Sequence, residues 1–189
     1  VGKGPPEPTN EAYAVAKLAT ASLAGTYRKQ YGADYVTVIP TNLYGPGDNF
    51  DPLMSHVAPA MMRRMIEARD GRVPKVEIWG SGKPRRELMF VDDAADAIFF
   101  VLERYSAPEP INVGIGVDVS IRELAELMAR TVGYKGELVF DTSKPAGAPR
   151  RLLDSGRLAA LGWKARTPLA DGLDAMYRWY CKHKVDVAA

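Results

Sequence analysis

Apolar positions recur at helical spacing from Glu11 to Tyr31, where Tyr13, Ala16, Leu18, Ala21, Leu23 and Ala24 stand among few helix breakers and the run stops at Gly32. The pattern predicts a helix of about 20 residues ended by a glycine C-cap. Thr9 or Asn10 suits its N-cap, and Glu11 sits in the first turn, where a carboxylate favours the helix dipole. Ala19, Ala21, Ser22, Ala24 and Gly25 permit close approach of another helix, so this element packs either on a sheet or across an interface between copies. Tyr35-Val36-Thr37-Val38-Ile39 is β-branched and almost wholly apolar, which suits a strand buried on both faces of a parallel sheet. The loop after it, Pro40 to Phe50, leaves the carboxyl end of that strand, the side on which open α/β sheets bind ligands.

Alternation of shorter period follows. Met54 to Ala68 reads as a helix; Val76 to Trp79 alternates like a strand, Gly80 to Pro84 as a turn, and Arg85 to Leu88 as extended chain. Asp92 or Asp93 is placed to cap a helix over Ala94 to Arg104. Ile111 to Gly114 and Gly136 to Phe140 read as strands, and Ser120 stands three residues before Glu123 as a capping box for a helix reaching Val132. Asp141 to Arg151 is a basic, proline-rich loop, Leu152 to Leu161 a short helix, and Pro168 to His183 a final amphipathic helix. Strands alternating with helices place the chain in the α/β class.

Composition narrows the classes. The 189 residues are 47% hydrophobic and 25% charged, enough for a sizeable core in one globular domain or slightly more. A formal net charge of +2 argues neither for nucleic acid nor for an anionic membrane, so anion binding rests on local clusters. No apolar run approaches the roughly 18 residues of a membrane span, and the lone Cys181 has no disulfide partner in the chain; together these read as a cytoplasmic protein. No repeat is visible, and no group of His, Cys, Asp and Glu has metal-ligand spacing. Val1 to Pro8 holds neither a hydrophobic signal region nor an initiator methionine, so the chain is expected to begin within a longer protein.

Candidate chemistry centres on Tyr13 and Lys17. Four residues apart on a helix, they share a face, and an ammonium beside a phenol favours its ionised form. On spacing alone the pair also suits an ordinary amphipathic helix that carries a Tyr and a Lys by chance. His56, one of two histidines, is either a surface residue at a helix start or a proton donor. Arg85 and Arg86 flank a turn; adjacent strand residues point to opposite faces, so one of them is expected to meet phosphate. Lys144 and Arg150 lie in the basic loop, which is either solvated or a ligand clasp.

Taken together and in order, Pro8 to Lys17, Pro40-Thr41-Asn42-Leu43-Tyr44-Gly45-Pro46, Ser55-His56-Val57, Trp79-Gly80-Ser81-Gly82, Arg86-Glu87, Phe90-Val91-Asp92-Asp93, Asn112-Val113-Gly114 and Leu152-Leu153-Asp154 resemble the GDP-L-fucose synthase family of the extended short-chain dehydrogenase/reductase superfamily. The likeness runs from Pro8 to about Tyr180. Tyr-x-x-x-Lys and Asn-x-Tyr-Gly-Pro are shared by many sugar-nucleotide enzymes, whereas His56 in its Ser-His-Val setting and Ser143-Lys144-Pro145 select this branch.

The resemblance implies an NADPH-dependent epimerase-reductase converting GDP-4-keto-6-deoxy-D-mannose to GDP-L-fucose. Tyr13 would protonate the oxygen at sugar C4, Lys17 would assist it and hold the nicotinamide ribose, and His56 would be the acid in epimerisation at C3 and C5. Pro40, Asn42, Leu43 and His56 would lie along the cofactor NADP(H), while Asn42, Arg64, Trp79, Arg86 and Lys144 would meet the GDP-sugar, Arg86 at its diphosphate. By the same resemblance, residues 1–50 would be the last part of a Rossmann domain and 51–189 mainly a smaller α/β substrate domain, with a return to the Rossmann sheet near 90–114. A homodimer would form through the Glu11–Tyr31 helix. No Gly-rich phosphate turn precedes Tyr13, and the family's upstream serine and cysteine are absent. The chain is therefore expected to be a C-terminal portion with little or no reductase activity alone. The alternatives are another sugar-nucleotide epimerase or dehydratase, or an inert nucleotide-sugar-binding or dimerisation module.

Overall fold

The computed structural model describes residues 10–144 and 147–183; Thr9 and Pro145 of the sequence reading lie outside them. In chain order the elements are α1 (Glu11–Tyr31), β1 (Val38–Pro40), β2 (Asn42–Tyr44), α2 (Val57–Asp70), β3 (Lys75–Trp79), β4 (Arg85–Arg86), β5 (Leu88–Phe90), α3 (Val91–Arg104), β6 (Ile111–Val113), β7 (Val119–Ser120), α4 (Ile121–Val132), β8 (Glu137–Asp141), β9 (Arg150–Arg151), α5 (Gly156–Ala160) and α6 (Leu169–Lys182).

Three parallel pairs form the frame: β1 with β6, β2 with β5, and β3 with β8. A small mixed sheet joins β4 to β7 antiparallel and to β9 parallel. Two apolar clusters fill the spaces between these layers. One gathers Met61, Met62 and Met65 of α2 with Ile78, Leu124, Met128, Leu173 and Met176. The other packs Met89, Ala97 and Val101 against Ile111, Val113, Leu158 and Trp163. The strands that carry the site, β2 and β5, stand where the clusters meet: Tyr44 and Phe90 face the first, Leu43 and Met89 the second.

Local signals explain the helix ends. Gly32 and Gly133 take left-handed conformations (φ 67° and 74°) after α1 and α4, where a side chain would be strained. The Ser120–Glu123 capping box forms in both directions, at 2.7 and 3.1 Å. Some ends differ from the sequence reading. Asn10 occupies the N-cap of α1 without a side-chain bond. Helix α3 begins earlier, behind Phe90, because the Asp93 carboxylate accepts the backbone N–H groups of Arg166 and Thr167, a tertiary use in place of a cap. Helix α2 starts at Val57 rather than Met54, since Asp51 Oδ1 draws the N–H groups of Leu53 and Met54 into a turn. The strand expected over Tyr35 to Ile39 pairs only from Val38, and Tyr35 is exposed; within β1, Val38 and Ile39 are half-buried and Pro40 is exposed, so the strand is not buried on both faces. The helix read over Leu152 to Leu161 shortens to α5, the residues before it continuing from the mixed sheet as a loop.

Helix α1 stands apart from both clusters. None of its residues is buried, and Val15, Leu23, Tyr27 and Tyr31 are exposed. Its C-terminal end is tied down by Arg28, which donates to Asp34 and to the Ser106 carbonyl. No helix among the described residues is long and apolar enough to cross a membrane.

Candidate active site

A cavity of about 800 Å³ opens beyond the carboxyl ends of β1 and β2. The chain from Pro40 to Asp48 forms one wall, Tyr13 stands over it from α1, His56 closes it at the start of α2, and Arg150, Arg151, Leu152 and Leu153 form the opposite side. Segments more than a hundred residues apart thus meet at one opening.

Each wall is held by specific bonds. The Thr41 N–H donates to the Val113 carbonyl at 2.9 Å, continuing the β1–β6 ladder. The Asn42 side-chain amide donates to the Glu87 carbonyl at 2.9 Å, which fixes the amide plane at the cavity. Gly45 has no room for a side chain, since a Cβ there would lie 2.7 Å from Val91 Cγ1, and with φ 149° its backbone disfavours one as well. Gly47, at φ 80°, then turns the loop toward Asp48.

Glu87 organises the whole region. Fully buried, its Oε1 accepts the N–H groups of Ile115 and Gly116, both at 2.7 Å, and its Oε2 accepts that of Leu153 at 2.9 Å. Its own N–H donates to the Arg151 carbonyl at 3.0 Å. A buried carboxylate is tolerated because backbone donors meet both oxygens.

Two tyrosines line the cavity and their settings separate them. Tyr44 is buried, and that burial, reinforced by Asp93 and Asp171, pushes its phenol well above the usual tyrosine range. Tyr13 is 59% exposed, with the Lys17 ammonium 5.4 Å from its ring centroid. Of the two phenols, that of Tyr13 is the accessible one.

The basic side of the cavity is built from paired strands. Arg85 lies opposite Arg150, and Arg86 opposite Arg151, in the β4–β9 register. Asp118, buried, binds Arg85 Nε at 2.6 Å and also accepts from Arg150 Nε. Hydrogen bonds from Arg150 and then Arg85 hold its carboxyl below the usual aspartate range. Arg86 turns to the other face and donates to the Ala148 and Arg85 carbonyls at 2.7 and 2.8 Å. Burial, and then the like charge of Arg151, lower its guanidinium below the usual arginine value. A half-buried cation beside a second cation is a setting that an anion would relieve.

The structure brings Tyr13, Pro40, Asn42, Leu43 and His56 together around the cavity, with Lys17 beside Tyr13. Arg86 stands one strand away from the wall. Arg64, half-buried on α2, donates to the Glu77 carbonyl, and burial lowers its guanidinium; it is outside the cavity lining, as are the exposed Trp79 and Lys144. Sequence reasoning missed Glu87, Asp118 and Asp48. For Glu87 a signal existed: an acid directly before the apolar Leu88-Met89-Phe90 run is an acid in a buried strand. Among the described residues no metal-ligating cluster occurs.

The parallel strands, the ligand-facing loop at their carboxyl ends and the Tyr–Lys helix over it define a class. The chain belongs to the NAD dependent epimerase/dehydratase family, whose profile matches residues 1–114. Within that family it is 50% identical over 182 residues to the probable GDP-L-fucose synthase 1 of Oryza sativa subsp. japonica, covering 96% of this chain and 56% of that one. It is also 50% identical over 191 residues to the GDP-L-fucose synthase of Escherichia coli K12, covering 96% and 60%. Among solved structures, the GDP-L-fucose synthetase of Naegleria fowleri bound to NADP superposes with a TM-score of 0.91 at 29% identity, over 97% of this chain and 59% of that one. The chain thus spans a little over half the length of these relatives.

Proposed function

We propose that the cavity serves the NADPH-dependent conversion of GDP-4-keto-6-deoxy-D-mannose to GDP-L-fucose, by epimerisation at C3 and C5 and reduction at C4. The observation that supports this reading is the meeting of Tyr13 and His56, from different elements, at one cavity beside a set of arginines. NADPH, when bound, supplies the hydride for C4. Tyr13 gives its proton to the oxygen at that carbon, with the Lys17 ammonium beside the ring favouring the phenolate left behind. His56 delivers protons at C3 and C5, positions next to a ketone, where carbanions are held as enolates and hydrogen-bond donors at the oxygen stabilise them. Arg86, with Arg151 next to it, suits a diphosphate. Pro40, Asn42 and Leu43 suit the nicotinamide end of the cofactor: two apolar side chains and one amide whose orientation is already set. Arg64, Trp79 and Lys144 are assigned to more distant parts of the GDP-sugar. Residues 1–50 are read with the cofactor domain and 51–189 mainly with the substrate domain.

A homodimer through α1 goes with the same reading. The helix buries none of its own residues, exposes Leu23, Tyr27 and Tyr31, and carries Gly25, where a Cβ would meet nothing within 4 Å.

Calorimetry of the chain with GDP and with UDP, each as nucleotide and as nucleotide-sugar, tests the assignment. GDP compounds are expected to bind at least about tenfold more tightly, a difference of about 1.4 kcal/mol, and Arg86→Ala to remove most of that binding. Equal affinity for the two bases sinks the reading.

A further inference from the structure

The mixed sheet sets four arginines in two rows, Arg85 opposite Arg150 and Arg86 opposite Arg151. The first row shares one carboxylate. Asp118, its side chain only 5% exposed, accepts from Arg85 Nε at Oδ1, 2.6 Å, and from Arg150 Nε at Oδ2, 2.5 Å. Beyond that carboxylate the two arginines differ. Arg85 also donates through Nη2 to the Asp118 carbonyl at 2.8 Å, and its Nη1 stands 3.6 Å from Glu123 Oε2, an oxygen that the Ser120 N–H holds in place. Every nitrogen of the Arg85 guanidinium thus faces an oxygen. Arg150 bonds the described residues through Nε alone. Its side chain is 60% exposed and lines the cavity, whereas Arg85 is not part of the lining.

The charges sum in the same direction. Two cations share Asp118, and Glu123 offsets the one at Arg85. The positive charge left over belongs to Arg150, at the cavity wall, with Arg151 next to it. Burying a carboxylate costs solvation that an exposed ion pair would keep. What the bridge provides is a fixed guanidinium: a long side chain that would otherwise sample many rotamers is anchored at Nε, and its planar terminal fork is left over for another group.

We propose that Arg150 is a further contact for the diphosphate of the nucleotide-sugar, and that Asp118 is the positioning residue that presents it: the Nε edge of the guanidinium is held by the buried carboxylate, and the two terminal nitrogens receive phosphate oxygens. This rests on the reading of the cavity as a nucleotide-sugar site, and it adds to Arg86 a second arginine whose orientation is set before the ligand arrives. Arg85 takes no ligand in this arrangement. It ties the same carboxylate to β4 and, through Glu123, to the start of α4.

Calorimetry of the 189-residue chain with inorganic pyrophosphate, which carries the two phosphates without base or sugar, tests both roles. Arg150→Ala should weaken pyrophosphate binding at least about tenfold, as expected for losing a charge-assisted fork. Asp118→Asn separates positioning from charge by the sign of its effect. The substitution removes a negative charge beside the cavity, so a site governed by net charge would bind the anion more tightly. Loss of positioning weakens binding instead, by at least about threefold, because Asn keeps an oxygen for Arg85 but turns an NH₂ toward Arg150 Nε. Arg150→Lys carries the same test without touching Asp118. It keeps the charge, yet one ammonium cannot both bond Asp118 and fork a phosphate, so its affinity should fall to within about threefold of that of Arg150→Ala. Asp118→Asn binding that does not fall by about threefold, Arg150→Lys binding equal to the parent's, or a parent chain that does not bind pyrophosphate overturns the proposal. Equal affinity for GDP and UDP, with the pyrophosphate results as expected, overturns the functional reading alone.

Discussion

Replacing Glu87 by glutamine removes one charge from the centre of the site while keeping its shape. The carboxylate accepts three backbone N–H groups, two at Oε1 and one at Oε2. A side-chain amide has one acceptor oxygen, so at best the Ile115 and Gly116 bonds survive, and the amide NH₂ is left facing the Leu153 N–H. Losing one charge-assisted bond costs about 1.5–3 kcal/mol, and the remaining two weaken as the acceptor becomes neutral. Removing a buried charge recovers part of its desolvation penalty. The net expectation is a loss of about 2–3 kcal/mol, a large share of the roughly 5–15 kcal/mol that holds a domain folded. With a urea m-value of about 2 kcal/mol per molar for a chain of this size, the unfolding midpoint falls by about 1 to 1.5 M. Native-state hydrogen exchange should show Ile115, Gly116 and Leu153 losing protection before amides elsewhere. A midpoint within about 0.3 M of the parent value at unchanged m would refute the view that this carboxylate knits β9 and the loop after β6 to the site.

Three further outcomes are expected. The Asp118 carboxyl titrates below its usual value because Arg150 and Arg85 bond it; its stabilisation is complete above about 3.9, the ordinary aspartate value, and is lost as pH falls below that. Parallel urea titrations of the parent chain and Asp118→Asn should therefore differ at neutral pH and converge in acid; a gap independent of pH contradicts the assignment. Glycine to alanine inside a helix normally stabilises by about 0.5–1 kcal/mol, yet a Cβ at Gly172 would stand 2.2 Å from the Tyr44 hydroxyl. Gly172→Ala should lower the melting temperature through overpacking of about 1–3 kcal/mol, and a raised Tm would show that α6 can move away. Leu23→Glu places a charge on the exposed face of α1; sedimentation velocity should show it more monomeric than the parent chain, and identical profiles would remove α1 from any self-association.

The periodic pattern was enough to place α1, α4 and α6 nearly to the residue, because capping residues, glycine C-caps and apolar spacing act within a few positions of chain. Tyr13 and Lys17 were legible for the same reason: four residues on a helix bring two side chains together whatever the rest of the protein does. Motif order also sufficed for the family. Ends governed by tertiary bonds were read less well, as with Asp93, which serves residues 166 and 167 rather than its own helix.

What the fold alone decided is the company these residues keep. Glu87 and Leu153 are 66 positions apart, and Arg85 and Asp118 are 33 apart; no local spacing encodes such pairs. Arg150 and Arg151 read as part of a basic loop until β9 pairs with β4 and places them on the cavity. Asp48 reads as turn chemistry until the packing of the loop buries its outer oxygen at the cavity that His56 also lines. Sequence specified which groups bear chemistry through short-range spacing, and tertiary structure decided which of them share one cavity, because burial and long-range strand register set the distances and charges that chemistry responds to.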